Sequence, residues 1–103
     1  MKEKTVYKGG VLVYRIQQDS ESFFMEENGE RKAEIIFQED QDGDLFIEHT
    51  FVHEDLGGRG VGKELVKKVV EKAQSENKRI SSSCSYAQKQ LEKSDEYRQL
   101  LKN

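Results

Sequence analysis

The residues with the most chemistry to offer stand in one run, Leu56-Gly57-Gly58-Arg59-Gly60-Val61-Gly62-Lys63. Its four glycines leave the main chain bare, and without a Cβ a ligand can approach the backbone closely. An apolar run, residues 45–52, precedes the stretch and an amphipathic one, residues 61–73, follows it. A strand therefore hands over to a helix here. The first N–H groups of a helix have no intrahelical partner, and the helix dipole adds partial positive charge beside them. No Ser, Thr, Asp or Asn stands directly before this helix to accept from them. A phosphate would take their hydrogen bonds instead, with Arg59 and Lys63 at its side. The stretch reads as a pyrophosphate-binding turn.

The elements that must position this turn follow from periodicity. Residues 1–10 are polar, with Gly9-Gly10 as a turn, and residues 11–16 are rich in β-branched and aromatic types and form a strand. Residues 22–26 make a second strand, closed by Asn28-Gly29, the strongest short hairpin signal. Residues 31–38 alternate, with Ala33, Ile35 and Phe37 on one face. Asp42-Gly43 is a second hairpin signal, and residues 44–52 form the next strand. This antiparallel meander runs into the glycine turn. Val61, Leu65, Val66, Val69, Val70 and Ala73 then fall on one helical stripe, and Asn77 ends the helix. Residues 79–83 are the natural partner strand, placed parallel to residues 44–52 by a right-handed crossover. Ser85 and Gln88 make a capping box for a helix over residues 86–93, and Ser94 opens a last short helix anchored by Leu100 and Leu101. The expected class is α/β: a meander leading into a β-α-β unit, then C-terminal helices.

Composition limits the function classes. A chain of 103 residues suits one domain spanning residues 1–103, with 34% hydrophobic and 36% charged residues implying a small core. No apolar run is long enough to span a bilayer, and no charged-then-apolar leader opens the chain. The single cysteine, Cys84, excludes an intrachain disulfide and fits a reducing, cytoplasmic setting. Residues 1–56 carry six Lys and Arg against fourteen Asp and Glu, whereas residues 57–103 carry eleven against six. The basic half begins at the glycine turn and suits a small polyanionic ligand. A nucleic acid is not the expected partner, because the acidic half would repel its backbone, and nor is a membrane. An ordinary solvated surface would show the same charges.

Three known patterns can be laid on the glycine turn. Gly57 and Gly62-Lys63 match most of the P-loop spacing, but Glu64 stands where magnesium needs Ser or Thr. That carboxylate would also repel a phosphate. The dinucleotide pattern fails in both registers, with Lys63 or Leu65 at the third glycine. The third pattern fits better. Val52, the turn, Arg59-Gly60-Val61-Gly62 and the long helix resemble the acetyl-CoA signature of the GNAT superfamily of N-acetyltransferases, [Q/R]-x-x-G-x-[G/A], with Gly60 and Gly62 at its small positions. Gly57 stands where the Gln or Arg should be. The resemblance runs from about Val11 to the C-terminus. Within it, Glu48-His49-Thr50, Cys84-Ser85-Tyr86-Ala87 and Glu96-Tyr97 resemble the small, single-domain YjdJ-like branch.

The resemblance implies acetyl-CoA as cosubstrate and an amine, free or on a protein, as acceptor. By position, Gly57, Gly58, Arg59, Gly60, Val61, Gly62 and Lys63 would cradle the CoA pyrophosphate. Pantetheine would run along the backbone of Thr50, Phe51 and Val52, in a gap between splayed parallel strands. The thioester would sit between His49 and Cys84, and Lys89 would approach a CoA phosphate. Family members insert two helices between the first strands to cover the acceptor. The tight hairpins here leave no room for them, so the acceptor side should be open. Amine acetylation needs an unprotonated amine, hence a base at neutral pH. Glu48 and His49 are the base candidates, although a regular strand lets only one of them face the site. The other reading of His49 is a sheet-surface side chain bonded to a neighbour. Cys84 is either a buried structural thiol or a nucleophile whose pKa is lowered at a strand end before a helix. By analogy with a tyrosine that follows this strand in many GNAT enzymes, Tyr86 is the acid for the departing thiolate; its alternative is a core aromatic. Beside the transferase stand two other readings: a non-catalytic acetyl-CoA binder or sensor, and a P-loop-like nucleotide binder.

Overall fold

The computed structural model describes residues 6–8, 11–13 and 15–102. Strands Val6–Lys8 (β1) and Val11–Val13 (β2) pair antiparallel as a two-stranded sheet. The turn expected at Gly9-Gly10 lies outside the described residues, as does Tyr14. The strand expected over residues 11–16 is shorter than that, since Arg15 and Ile16 lie in no strand. Gln17–Asp19 (β3) is instead a separate strand. Its Gln-Gln-Asp sequence carries no β-branched or aromatic residue, so only its partner makes it a strand. That partner is Ser22–Glu27 (β4), reached through a two-residue turn. Asp19 closes the turn: its carboxylate accepts from the Glu21 N–H at 2.9 Å and the Ser22 hydroxyl at 2.8 Å.

The main sheet runs in the order β3-β4-β5-β6-β7, with Glu30–Glu39 as β5, Leu45–Val52 as β6 and Ile80–Ser82 as β7. All neighbours are antiparallel except β6 and β7, which are parallel. This is the meander and β-α-β unit expected from the sequence. Asn28 and Gly29 both adopt positive φ, 53° and 81°, as a tight hairpin turn of right-handed strands requires. Between β6 and β7 the chain forms a 3₁₀ turn, Glu54–Leu56, and the helix Val61–Glu76 (α1). The whole apolar stripe of α1 is buried, and it packs across β4, β5 and β6 against Ala33, Ile35, Phe37 and Ile47. Asn77 ends the helix with a left-handed φ of 57°.

Two short helices follow, Ser85–Glu92 (α2) and Asp95–Arg98 (α3). The capping box expected at Ser85 and Gln88 does not form. Cys84 is the N-cap, its side chain makes no capping bond, and Ser85 is already helical. The signal misplaced the boundary because Ser82, not Ser85, serves the chain here: its hydroxyl accepts from the Cys84 N–H at 2.9 Å. Ser94 caps α3 as expected, accepting from the Tyr97 N–H at 3.2 Å. Leu100 and Leu101 pack against the core, and Leu101 bridges to Ile80 beside β7. Among the described residues no helix precedes the 3₁₀ turn. No described helix is long and apolar enough to cross a membrane.

Candidate functional site: a cleft where two parallel strands part

β6 and β7 share only three paired positions, Leu45 to Ile80, Phe46 to Ser81 and Ile47 to Ser82. A last backbone-to-backbone bond, Ser83 N–H to Ile47 C=O at 3.0 Å, ends the ladder before the chain turns into α2, and beyond it, among the described residues, only the Ser83 and Cys84 side chains bond to β6. β6 runs on to Val52 with β5 along one edge only. The two parallel strands thus part, and the far end of β6 keeps an edge with no strand partner among the described residues. Pairing also slips within β6: Ile36 faces His49, but Phe37 faces Ile47, leaving Glu48 as an extra residue. Such a bulge bends its strand and re-aims the residues around it. Directly paired residues of antiparallel strands share a face. Thr50 and Val52, opposite Ile35 and Ala33, therefore lie on the α1 face, whereas His49 and Phe51, opposite Ile36 and Glu34, lie on the other.

The glycine turn stands at the mouth of this gap. Buried Leu56 pins the 3₁₀ turn, and the His53 imidazole accepts from the Asp55 N–H at 3.0 Å to shape its start. Gly58 and Gly60 both take φ of 75°, a left-handed conformation that a side chain strains. Gly60 is the N-cap of α1 and gives it no side-chain bond. The helical ladder begins only with Glu64 N–H to Gly60 C=O at 3.1 Å, so the N–H groups of Val61, Gly62 and Lys63 precede it. These residues, with Thr50, Val52, Leu56, Gly57, Gly58, Tyr86 and Gln90, line a cleft of about 630 Å³. That volume is ordinary for a small-molecule site. At Gly62 a Cβ would lie 2.6 Å from the Tyr86 hydroxyl, so only glycine lets that ring lie across the helix start.

Cys84 is half-buried beside the cleft, its sulfur 3.5 Å from the Thr50 hydroxyl. Burial pushes its pKa up, but hydrogen bonds from the Thr50 hydroxyl and from the N–H groups of Ala87, Tyr86 and Thr50 outweigh it. The net shift is downward, towards thiolate, as a helix start favours. Tyr86 shifts the other way: burial first, then the neighbouring Cys84 charge, hold its proton on. A group inclined to lose a proton thus stands beside one inclined to keep it, the second in the cleft wall and the first behind Thr50. This arrangement can support a nucleophile beside an acid.

The candidates divide by face. Thr50, Val52, Gly57, Gly58, Gly60, Val61, Gly62, Lys63 and Tyr86 come together in the cleft, and Cys84 touches it through Thr50. Arg59 and Lys89 are exposed beside it rather than lining it. The Phe51 side chain is exposed on the opposite face, as is His49, whose Nε2 lies 3.7 Å from Glu34 Oε2. Glu34 is held by Arg31 at 3.1 Å, which also reaches Asp19 at 2.9 Å. Glu48 is exposed at the bulge. Two residues carry no sign of their place in the sequence: Gln90 has no signal of its own, and Glu34 meets His49 only through strand register.

Similarity to known proteins agrees with this geometry. The family model described as GCN5-related N-acetyl-transferase matches residues 22–100. The solution structure of a GCN5-like candidate N-acetyltransferase from Staphylococcus aureus is 37% identical, with a TM-score of 0.73 over 87% of this chain and 89% of that one. The crystal structure of a ribosomal-protein-alanine N-acetyltransferase from Brucella melitensis biovar Abortus 2308 shares the fold at 18% identity, with a TM-score of 0.54 over 80% of this chain and 63% of that one. No sequence among the curated proteins matches. With the parted parallel strands, the glycine turn and a family match from β4 through α3, the chain belongs to the GCN5-related N-acetyltransferases.

Proposed function

We propose that the chain binds acetyl-CoA in the cleft between β6 and α2 and transfers its acetyl group to an amine. One observation carries the reading: an uncapped, glycine-built helix start and an unpaired stretch of β6 meet one cleft, with the Cys84 thiol behind its wall against Thr50. The residues present fit that cosubstrate. The N–H groups of Val61, Gly62 and Lys63 offer donors to phosphate oxygens, and the helix dipole adds to them. The β6 edge at Thr50 and Val52 offers strand-like bonds to an amide-containing arm. Lys63 supplies charge at the cleft, with Arg59 and Lys89 near its rim. Among the described residues none of these three has an ion-pair partner, whereas Lys32, Lys68, Lys72, Lys78 and Lys102 all do.

When bound, the thioester supplies an acyl carbon open to attack by a nucleophile. The Cys84 thiolate, steadied by Thr50 and two helix N–H groups, is one attacking group, and Tyr86 holds a proton for the departing thiolate. His49 lies on the opposite face beside Glu34, so on this reading the amine gives its proton to water, and its lone pair takes the acetyl group from Cys84, which leaves as thiolate. A second reading rests on the two-residue turn between β3 and β4, where among the described residues no helix stands to cover an acceptor. On it the chain binds acetyl-CoA without turnover. Calorimetric titration with acetyl-CoA, followed by thiol release against a panel of amines, separates the two. Binding with amine-dependent CoA release supports the transferase, and binding alone supports the second reading. No binding defeats both.

A further inference from the structure

β6 borders the cleft with one face and solvent with the other. Its edge is one chain thick there: Thr50 lines the cleft on the α1 side, and its neighbour Phe51 lies on the far side. Phe51 and Tyr86 are the two large apolar side chains exposed among the described residues, so the far face presents a bare ring next to the gap. That face is also acidic. The five strands of the main sheet hold seven carboxylates against two cations, Arg31 and Lys32. Both cations are engaged. Arg31 pairs with Glu34 and Asp19, donates to the Ser22 hydroxyl and lies 3.8 Å over the Phe24 ring. Lys32 lies 3.7 Å from Glu30 and 3.6 Å from Asp55. Glu34 is the direct cross-strand partner of Phe51, which puts a carboxylate beside the exposed ring. Arg31 holds its Oε1, and its Oε2 is turned to His49 at 3.7 Å, an imidazole that adds no charge while neutral. Glu48, exposed at the strand slip, has no ion pair among the described residues.

The charge of the reacting nitrogen is not what such a face recognises. That nitrogen attacks with its lone pair and is already neutral, so a carboxylate gains nothing from it. A second ammonium on the same molecule does gain, because a ring face and a carboxylate side by side both attract a cation. Given the proposed acetyl transfer, on which this rests, we infer that the acceptor is a small linear polyamine. One nitrogen enters the gap and takes the acetyl group, while another, still protonated, sits over Phe51 against Glu34 and Glu48. In the transfer the neutral nitrogen bonds to the acetyl carbon, the sulfur leaves as thiolate, and the nitrogen sheds a proton to water. The second ammonium is untouched. One ring and two carboxylates make a patch far smaller than the roughly 800 Å² that a protein partner covers, which favours a small molecule over a protein surface.

CoA release from acetyl-CoA by the full chain, with cadaverine and with pentylamine, tests this. The two amines have the same length and differ in the second charge. Per reacting nitrogen, kcat/KM should be about tenfold higher for cadaverine, the scale of one charge-assisted contact. That ratio should shrink as salt screens the face. Glu34→Gln keeps the shape and an oxygen for Arg31, and Phe51→Leu keeps an apolar side chain. Each should cut the ratio severalfold, through the KM for cadaverine, whereas a merely structural role would slow both amines alike. Equal wild-type values for the two amines would overturn the polyamine, as would a ratio that neither variant moves or turnover confined to a lysine peptide. If acetyl-CoA binds and no amine releases CoA, the transferase reading falls instead, and the polyamine with it.

Discussion

Opposed forces on single side chains give the sharpest tests. Burial raises the Cys84 pKa and four hydrogen bonds lower it, two of them from Thr50. Thr50→Val removes the hydroxyl and keeps the shape, so the alkylation midpoint should move upward in pH. Iodoacetamide rates across pH measure this, and an unmoved midpoint would show that Thr50 does not hold the thiolate. Gly60 and Gly62 are glycines for different reasons. Gly60 has φ of 75°, so Gly60→Ala should cost about 1–2 kcal/mol of stability. Gly62 is helical, where Ala is intrinsically better by about 1 kcal/mol, but its Cβ would strike the Tyr86 ring. Gly62→Ala should therefore displace Tyr86 and weaken acetyl-CoA binding, and Tyr86→Ala should relieve the clash. Denaturation of the two single variants and their double variant reads that coupling, and additive effects would contradict the contact.

At the scale of elements, α1 and β6 do different work. α1 supplies the core: Leu65 is fully buried under the sheet, so Leu65→Ala should cost about 2–5 kcal/mol in urea denaturation. β6 supplies geometry, because the extra residue at Glu48 bends it where β7 leaves off. Deleting Glu48 would restore a regular ladder and keep Ile47 and Thr50 on the same face. The chain should still fold cooperatively while acetyl-CoA binding falls, and unchanged affinity would show that the bulge does not shape the cleft. The α1 stripe, the meander, the parallel last strand and the glycine turn were all legible, because each is written in local periodicity or turn chemistry. β3 was not, because its three polar residues become a strand only through β4. The bulge was not, because register slips depend on two strands at once. For the same reason the placing of His49 beside Glu34, away from the cleft, could not be read from Glu48-His49 alone.

At the scale of the whole molecule, the segment after α3 returns to the sheet. Lys102 reaches Asp40, Asp42 and Asp44 at 2.7, 2.8 and 3.1 Å, tying that segment to the turn between β5 and β6. These three carboxylates converge closely enough for a metal, but the ammonium already lies among them. Hydrogen bonds from Lys102 and backbone N–H groups lower the Asp40 and Asp44 pKa values, and the carboxylates raise that of Lys102. Asp19 falls from 3.8 to about 2, chiefly through the Glu21 N–H and then the Ser22 hydroxyl. Folding thus disfavours protonation of these carboxylates. The stabilisation from Asp19 is present above about pH 4 and is lost as pH falls towards about 2; that from Asp40 and Asp44 is lost in the same direction, whereas that of Lys102 is lost only as pH rises beyond the ordinary lysine range. Lys102→Met should lower the Tm at pH 7, by an amount that shrinks in high salt and in acid; equal melting under all conditions would show the clamp to be inert. The central claim concerns the opposite end of the molecule, where the basic half meets the gap in the sheet. A ¹H–¹⁵N titration with acetyl-CoA addresses it most directly. The amides of Thr50, Val52, Gly58, Gly60, Gly62, Lys63, Cys84 and Tyr86 should shift together and saturate at one equivalent, while those of β3 and β4 stay in place. Saturable shifts confined to another surface, or none at all in the cleft, would contradict the account.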